Sequence, residues 1–491
     1  EGNRERLGSL VTRQDPFIDG RFAPSVDGRR FDCVSPRDGS VIARVAECDR
    51  TDVDIAVRAA RAAFEDGRWS RMHPRERRRV LQRLARLVEA NTDELALLES
   101  LDMGKPVSDA LAVDLRVVVQ ALDFYAEAID KTYDQVAPTA HDVHATITRE
   151  PLGVVGAVVP WNFPLMLLSW KVAPGLAAGN SMVVKPAEQS PLTALRFAEL
   201  AAEAGVPDGV LNVVPGFGET AGRALGLHPD VDAVTFTGSG PVGREFLRYA
   251  ADSNLKQVSL ELGGKSPQIV MADAPDTEQV AAGVAGGIFF NQGEVCSAGS
   301  RLIVHRSRQQ ELTEAVVRAA RDLRPSDPVD PSAQLGALVE EQHLDRVLAY
   351  LDGADRDGAA RLVGGGRVRQ DTGGFYLEPT VLDQVRPDMR VAQEEIFGPV
   401  LVVLPFDTVE EAVAIANGTP YGLAASVWTK DLSTAHRTAR SVRAGSVWVN
   451  CYDASDITVP FGGYGESGIG RDKSLHALDK YSQLKTTWIQ L

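Results

Sequence analysis

From residue 152 onward the chain alternates short apolar runs with helix-length segments, and this rhythm constrains the fold more than any other feature. The runs are 154–159 (VVGAVV), 181–185 (SMVVK), 210–214 (VLNVV), 232–236 (DAVTF) and 257–260 (QVSL). Each has the length of a strand and is almost continuously apolar, as strands covered on both faces must be. The best-marked helix between them has Ser190 as N-cap, Pro191 at its first position and a stop before Gly205. Strands and helices in this order predict a parallel sheet wrapped on both faces, a Rossmann-like α/β domain. A second alternating block from about 265 to 460 (SPQIVMAD, SRLIVHR, VLVVLPFD, ASVWTK, SVWVN) predicts a second α/β domain.

The first part of the chain has strand-like pieces (FIDGRF, CVSPRDGSVIARV) followed by amphipathic helices. Val53, Ala56, Val57, Ala60, Ala63 and Phe64 repeat at three and four residues in 51–66, as do Val80, Leu81, Leu84, Leu87 and Val88 in 75–90. The polar, strand-prone 133–150 and the tail 480–491 (KYSQLKTTWIQL) belong to neither domain; two such pieces can pair into a sheet edge used for oligomerisation. The expected division is 1–132 with 151–262 as a dinucleotide-binding domain, 263–466 as a catalytic domain, and 133–150 with 467–491 as an oligomerisation element. A chain of 491 residues has room for this without disulfide or metal staples.

Charge and cysteine usage exclude several function classes. Fifty-two basic and sixty-seven acidic side chains give a net charge of −15, which repels phosphate backbones; the one Lys/Arg-dense stretch, 71–86, reads as a helix face. Nucleic acid is therefore not the expected partner. Cys33, Cys48, Cys296 and Cys451 form no CxxC or Cys/His cluster, which fits free thiols in a reducing, cytoplasmic setting. His141 and His144 sit in a polar loop, and no metal site is visible. The most apolar stretch, 152–179, is interrupted by Pro160, Asn162, Pro164, Lys171 and Pro174, so a soluble protein is expected rather than a membrane span. The opening EGNRERLGSL has neither Met nor an apolar signal core, as a trimmed or processed start would read.

The residues able to carry chemistry stand just after the proposed strands, where open α/β sheets bind ligands. Trp161 and Asn162 follow the first run, Lys185 ends the second with Glu188 one turn beyond, Gly238, Ser239, Gly240 and Gly243 follow the fourth, and Glu261 follows the fifth. GSGPVG matches the GxGxxG dinucleotide loop, although such glycines also simply let a helix start close to a sheet. Glu261 stands near the distance of that fingerprint's ribose acid, but Lys185 with Glu188 already supplies a ribose-binding pair. Cys296 lies among small residues in FFNQGEVCSAGSR. A sulfur nucleophile needs deprotonation, an oxyanion donor and a route for water; Asn162 offers the donor and Glu261 the base. No motif positions a histidine as a papain-like partner.

PWNFP (160–164), KPAEQSPLTAL (185–195), FTGS (236–239), LELGGKSP (260–267), GEVCSAGSR (293–301), EEIFGPV (394–400) and PFGGYGESGIGRD (460–472) together resemble the aldehyde dehydrogenase superfamily, in order and over almost the whole chain. The resemblance implies that Cys296 attacks the aldehyde carbon, that the Asn162 amide and the Cys296 backbone N–H hold the oxyanion, and that Glu261 activates the hydrolytic water. It also implies NAD as cofactor: Lys185 and Glu188 on the adenosine ribose, the Gly238–Ser239 loop with Gly243 at the pyrophosphate, Glu395 on the nicotinamide ribose, and Trp161 and Phe397 nearby. Two departures stand out, Gly240 where Thr or Ser is common and Gly465 where Lys is common. Glu261 argues against a CoA-acylating relative, and Cys296, Glu261 and Asn162 together argue against a non-catalytic one.

Within the family, the stretch from GSVWVNCYDASD to LKTTWI, with LDMGKP, is most similar to γ-glutamyl-γ-aminobutyraldehyde and 4-guanidinobutyraldehyde dehydrogenases of polyamine and arginine breakdown. A broad-specificity aliphatic or semialdehyde dehydrogenase is the alternative. The resemblance implies a homo-oligomer, a dimer or a dimer-of-dimers tetramer. Phe163, Trp170 and Phe461 are expected to line the substrate tunnel. The loop Asn450–Phe461 carries Asp453 and Asp456 and no Lys or Arg, an expected attraction for an aldehyde with a distal amine or guanidinium.

Overall fold

The computed structural model describes Asn3 and residues 7–491. The first residues of the segment 1–132, and the reading of a processed start, lie outside the described residues.

Each alternating block builds one sheet. In the first, the strands Leu211–Val213, Ser181–Lys185, Val154–Val158, Ala233–Thr237 and Gln257–Glu261 lie side by side in that order, all parallel. Chain order therefore reverses between Val154–Val158 and Ala233–Thr237, the switch point at which a crevice opens beyond the carboxyl ends of the strands. Burial on both faces explains the uninterrupted apolar runs. Val154, Val183 and Val234 pack with Val53, Ala56 and Val57 of the helix Arg50–Glu65, whereas Val155, Met182 and Val184 pack on the other face with the helices Pro164–Ala177 and Leu192–Ala204. Successive residues of a strand thus serve opposite cores. The hairpin Phe17–Ile18 and Arg21–Phe22 extends one edge.

The second sheet orders its strands Ala360–Val363, Thr380–Asp383, Val400–Phe406, Arg301–His305, Pro267–Val270, Ala424–Trp428 and Ser446–Val449, and all but the first are parallel. It too is covered twice. Val270, Leu302, Val304 and Val403 pack with the helices Thr277–Phe289 and Gln309–Asp322, and Ile269, Ile303 and Val402 with Glu341–Arg356. The first sheet is joined to the second through the short link from Glu261 to Pro267.

The two unassigned pieces pair with each other. Ser482–Gln490 runs antiparallel to Val143–Pro151 through nine residues, from Ser482 opposite Pro151 to Gln490 opposite Val143, with Gln135–Ala137 on the far side. Leu484, Trp488, Ile489 and Leu491 of this ribbon are exposed. Two details differ from the sequence reading. Gly468–Ile469, expected to belong with the tail, instead pairs with Leu260 and Glu261 at the edge of the first sheet. The helix expected to start with Ser190 and Pro191 begins at Leu192, with Pro191 at the N-cap and no side-chain cap, because the Ser190 hydroxyl is directed to the Trp161 carbonyl at 3.4 Å.

Beneath the first domain lies a charge cluster with no water contact. Lys105 is fully buried, bonded to Asp114 and 3.6 Å from Glu99, and its ammonium sits 4.0 Å from the centre of the Phe163 ring. Burial and neighbouring Asp114 push Glu99 well above the usual carboxylate range. Removing only the cation leaves desolvated acids without a counter-charge. Lys105→Met is therefore expected to cost about 3–5 kcal/mol of stability, read as a fall in Tm; an unchanged Tm would show that the buried acids are neutralised without Lys105.

Candidate active site

The crevice at the switch point gathers most of the residues singled out from the sequence. Asn162 lies after Val154–Val158, almost fully buried, and is clamped to the loop that carries Cys296. Its side-chain amide donates to the Glu294 carbonyl at 3.0 Å, and the Asn291 amide donates to the Asn162 carbonyl at 3.1 Å. Asn291 and Gln292 both adopt left-handed backbone (φ 50° and 59°). Strain of this kind persists only where the surroundings over-determine it; here Gln292 accepts from the Gly336 N–H and the Glu294 carboxyl from the Val339 N–H. The turn presents Cys296, half-buried, toward the crevice. Gly264 packs against the Cys296 carbonyl, where a Cβ would come within 3.1 Å.

Three carboxyl groups surround the thiol. Burial raises the Cys296 pKa well above its ordinary value, and the charges of Glu261, Asp453 and Glu395 raise it further. Glu261, at the end of Gln257–Glu261, is itself pushed up to about 8, first by burial and then by Asp472, against the opposing pull of Lys171 and Lys480. One of its oxygens has no hydrogen-bond partner. Behind it, buried Asp472 bonds Lys480 and accepts from the Lys171 ammonium at 3.2 Å. Glu395 accepts from the Gly264 N–H at 3.2 Å and is pushed up to about 7 by burial, while buried Lys265 beside it is lowered to about 7, by burial and then by Arg301. A Cβ on Gly263 would overlap the Glu395 carboxylate, so this glycine makes room for the acid.

The dinucleotide side of the crevice is equally specific. The buried Lys185 ammonium donates to the Pro186 carbonyl at 2.7 Å and lies 3.5 Å from Glu188, whose side chain is partly exposed. Ser239 is exposed at the N-cap of the helix Gly240–Ala251 and does not cap it with its own side chain, leaving the helix N–H groups open toward the crevice. A helix start with free donors and a positive dipole end fits a pyrophosphate. Gly238 and Gly243 are explained by packing, since a Cβ would meet the Phe236 ring at 2.5 Å or Leu262 at 2.8 Å. Gly240 meets only the Arg244 side chain, so the Thr or Ser common there would fit. On the opposite wall the Trp161 ring meets the Phe397 ring edge-on at 5.3 Å, and buried His343 contacts the Phe397 carbonyl at 2.6 Å. Burial lowers His343 to about 4, so its neutral ring donates this bond.

Of the residues expected to line a substrate tunnel, three aromatic side chains are buried and the two aspartates differ. Phe163 stacks on Phe290 at 6.3 Å and Trp170 meets Phe461 at 5.6 Å; Phe163, Trp170 and Phe461 are buried. The exposed Asp453 accepts from the Ser297 hydroxyl at 3.4 Å, and the protein around its carboxylate pushes it up to about 6. Asp456 instead turns back to cap its own loop, accepting from the Thr458 N–H at 2.9 Å and the Thr458 hydroxyl at 2.5 Å. It is exposed and is not brought to Cys296. Gly465 adopts φ 55°, and a Cβ there would lie 2.7 Å from the Pro420 carbonyl, which explains the absence of the common lysine.

The aldehyde dehydrogenase family profile matches residues 22–487. The chain belongs to the aldehyde dehydrogenase family. It is an oxidoreductase acting on aldehydes, with the family fold. It is 52% identical to the aminoacetaldehyde dehydrogenase of Pseudomonas aeruginosa over 99% of this chain and 98% of that protein. A solved indole-3-acetaldehyde dehydrogenase in complex with NAD+ superposes with a TM-score of 0.99 at 55% identity, covering 100% of this chain and 99% of the other. The γ-glutamyl-γ-aminobutyraldehyde dehydrogenase of Burkholderia cenocepacia gives 0.98 at 54%, with the same coverage.

Within this aldehyde dehydrogenase, Lys171, Asp472, Lys473, Lys480, Glu294 and His343 were not found by sequence reasoning. Lys171 had a signal: it is the single charge in a helix, Pro164–Ala177, whose every residue is buried. The others sit in loops or polar helices where a charge is unremarkable. Burial and then the neighbouring carboxylates hold the Cys296 thiol in its neutral form. At pH 7.5 Asp453, at about 6, is ionised, whereas Glu261, at about 8, is mostly neutral. Asp453→Asn is therefore expected to speed alkylation of Cys296 by iodoacetamide at pH 7.5 by about three- to tenfold, and Glu261→Gln to change it less. Unchanged or slower alkylation in Asp453→Asn would separate that carboxylate from the thiol's titration.

Proposed function

We propose that this chain is an NAD-dependent, non-acylating aldehyde dehydrogenase that oxidises an aminoaldehyde through Cys296. The observation carrying the reading is a thiol, Cys296, beside a buried acid with an unpartnered oxygen, Glu261, on a loop to which the Asn162 amide is clamped through the Glu294 carbonyl. The Cys296 sulfur would add to the aldehyde carbon, losing its proton and forming the C–S bond of a thiohemiacetal. The second N–H of the Asn162 amide and the Cys296 backbone N–H would hold the oxyanion; losing one such donor typically costs about 3–4 kcal/mol of transition-state stabilisation. NAD, when bound, supplies the acceptor for the hydride whose loss turns the thiohemiacetal into a thioester. Glu261 would then take a proton from water as its oxygen adds to the acyl carbon, and the thiolate would leave with release of the carboxylic acid. The same glutamate argues against transfer to CoA.

The residues present fit that cofactor. The open helix start at Ser239 suits the pyrophosphate, Lys185 and Glu188 suit the adenosine ribose, and Glu395 with Phe397 and Trp161 suits the nicotinamide end. A carboxylate at Glu188 accepts from a ribose hydroxyl and repels a 2′-phosphate, which favours NAD over NADP. The aminoaldehyde assignment rests on the similarity to the Pseudomonas and Burkholderia enzymes and on the Asp453 carboxylate beside Cys296, and is consistent with polyamine or arginine catabolism. An aromatic aldehyde is the second reading, favoured by Phe163, Phe290, Trp170 and Phe461 and by the indole-3-acetaldehyde neighbour. The exposed ribbon of Val143–Pro151 and Ser482–Gln490 supports a homo-oligomer, and four free cysteines support a cytoplasmic setting.

Absorbance at 340 nm with a panel of aldehydes tests the assignment: kcat/KM should be higher for an aminoaldehyde than for indole-3-acetaldehyde, and higher with NAD than with NADP. Fastest oxidation of the indole substrate would select the second reading, and equal use of both cofactors would remove the role of Glu188. Glu261→Gln should retain a rapid first turnover of NADH while steady-state turnover falls at least about a hundredfold. A base with a pKa of about 8 is ionised only above that value, so the wild-type deacylation rate should rise as pH passes from 7 to 9, and this limb should vanish in the variant. Equal loss of both kinetic phases would exclude the water-activating role.

A further inference from the structure

Lys473 follows Asp472 in the GRDKS turn, and the backbone there is unusual. Lys473 and Ser474 both have positive φ, 64° and 55°. Two consecutive side-chain-bearing residues in this region are strained and persist only where their surroundings hold them. Neighbouring residues thereby both turn inward: Asp472 to Lys171 and Lys480, and Lys473 to the wall of the substrate tunnel. Lys473 is only 3% exposed. Its ammonium bonds the Ser455 hydroxyl and lies 5.5 Å from the centre of the Trp170 ring, and the carboxylates of Asp453, Asp456 and Asp472 are the charges that favour its protonated form. Burial nevertheless lowers its pKa overall.

The tunnel mouth therefore has a charge balance that the loop Asn450–Phe461 alone does not reveal. That loop turns one acid, Asp453, to the Ser297 hydroxyl beside Cys296, while Asp456 is bound to Thr458. The opposing cation arrives from another segment and is fixed behind the loop, out of reach of bulk water. A charge in a poorly solvated wall acts over a longer range than one on the surface.

We propose that Lys473 is a specificity-determining positioning residue of this enzyme: it ties the Asn450–Phe461 loop to Trp170 and offsets Asp453, so that the tunnel tolerates an anionic or zwitterionic tail that Asp453 alone would repel. The inference rests on the aldehyde dehydrogenase reading and on the tunnel beside Trp170 and Phe461, and it refines the substrate class within that reading. Lys473 does not touch the reacting atoms. It acts through Asp453 and Trp170.

The test compares kcat/KM of the full-length enzyme with NAD for three aldehydes of similar length: 4-guanidinobutyraldehyde (cationic), butanal (neutral) and succinate semialdehyde (anionic). Lys473→Met is expected to move the cationic-to-anionic ratio about tenfold toward the cation, with butanal between. Lys473→Gln, which keeps a hydrogen-bonding partner for Ser455, should move it the same way, and Lys473→Arg should restore the wild-type ratio. Asp453→Asn in the Lys473→Met background should cancel the shift. A common loss for all three aldehydes with the ratio unchanged, or a shift toward the anion, would overturn the proposal and leave Lys473 a packing residue. A wild-type preference for succinate semialdehyde would instead overturn the aminoaldehyde reading, and the response of the ratio to Lys473→Met would still decide the role of Lys473.

Discussion

The architecture around Cys296 depends on one buried carboxylate. Asp472 is almost completely hidden from water, yet it keeps its pKa below the usual range because Lys171 and Lys480 flank it. Three parts of the chain meet in that contact: the apolar helix Pro164–Ala177, the turn after the Gly468–Ile469 edge strand, and the approach to the ribbon strand Ser482–Gln490. The Asp472 backbone also bridges Phe461, and the next carbonyl but one, of Ser474, accepts from the buried Tyr125 hydroxyl at 2.9 Å. Without this charge the two ammonium groups would be buried against each other, and the wall behind Glu261 would have no reason to close.

That wall sets the chemistry by excluding water. Burial is the first cause of the raised values of Glu261 and Glu395 and of the lowered value of Lys265, and all three fall between about 7 and 8. Three groups that would be far from titration in water are thus drawn toward neutrality, as acid–base sites require. Nearby ions then tune individual groups: Asp472 against Lys171 at Glu261, Lys265 at Glu395, and Lys473 at Asp453.

The strands were legible because a doubly covered strand must be apolar on both faces, and every run from 154–159 to 257–260 became one, with ends shifted by a residue at most. Ends move because they are set by hydrogen bonds that a local pattern does not specify, as with the Ser190 hydroxyl. Trp161, Asn162, Lys185, Ser239 and Glu261 also share the crevice, since all end or follow strands of one sheet. Long-range placement was not legible. Lys171 and Asp472 stand 301 residues apart, and nothing local in GRDKS announces that Lys473 and Ser474 take the left-handed backbone usually given to glycine. Asp453 and Asp456 look alike in the sequence; one faces Ser297 and the other closes its own turn.

The sheet ribbon joining Val143–Pro151 to Ser482–Gln490 carries a consequence for the order of assembly. The strand ending in Glu261 and the Cys296 loop are synthesised well before Asp472, Lys473 and Lys480, and Lys171 waits 301 residues for its partner. At about 5–20 residues per second this is about 15–60 s of translation. During that interval a nascent chain can form its parallel sheets and its dinucleotide crevice, but it lacks the cluster that closes the wall behind Glu261. High sequence separation, which slows folding in general, here postpones closure around Cys296 until the chain able to enclose it has emerged from the ribosome.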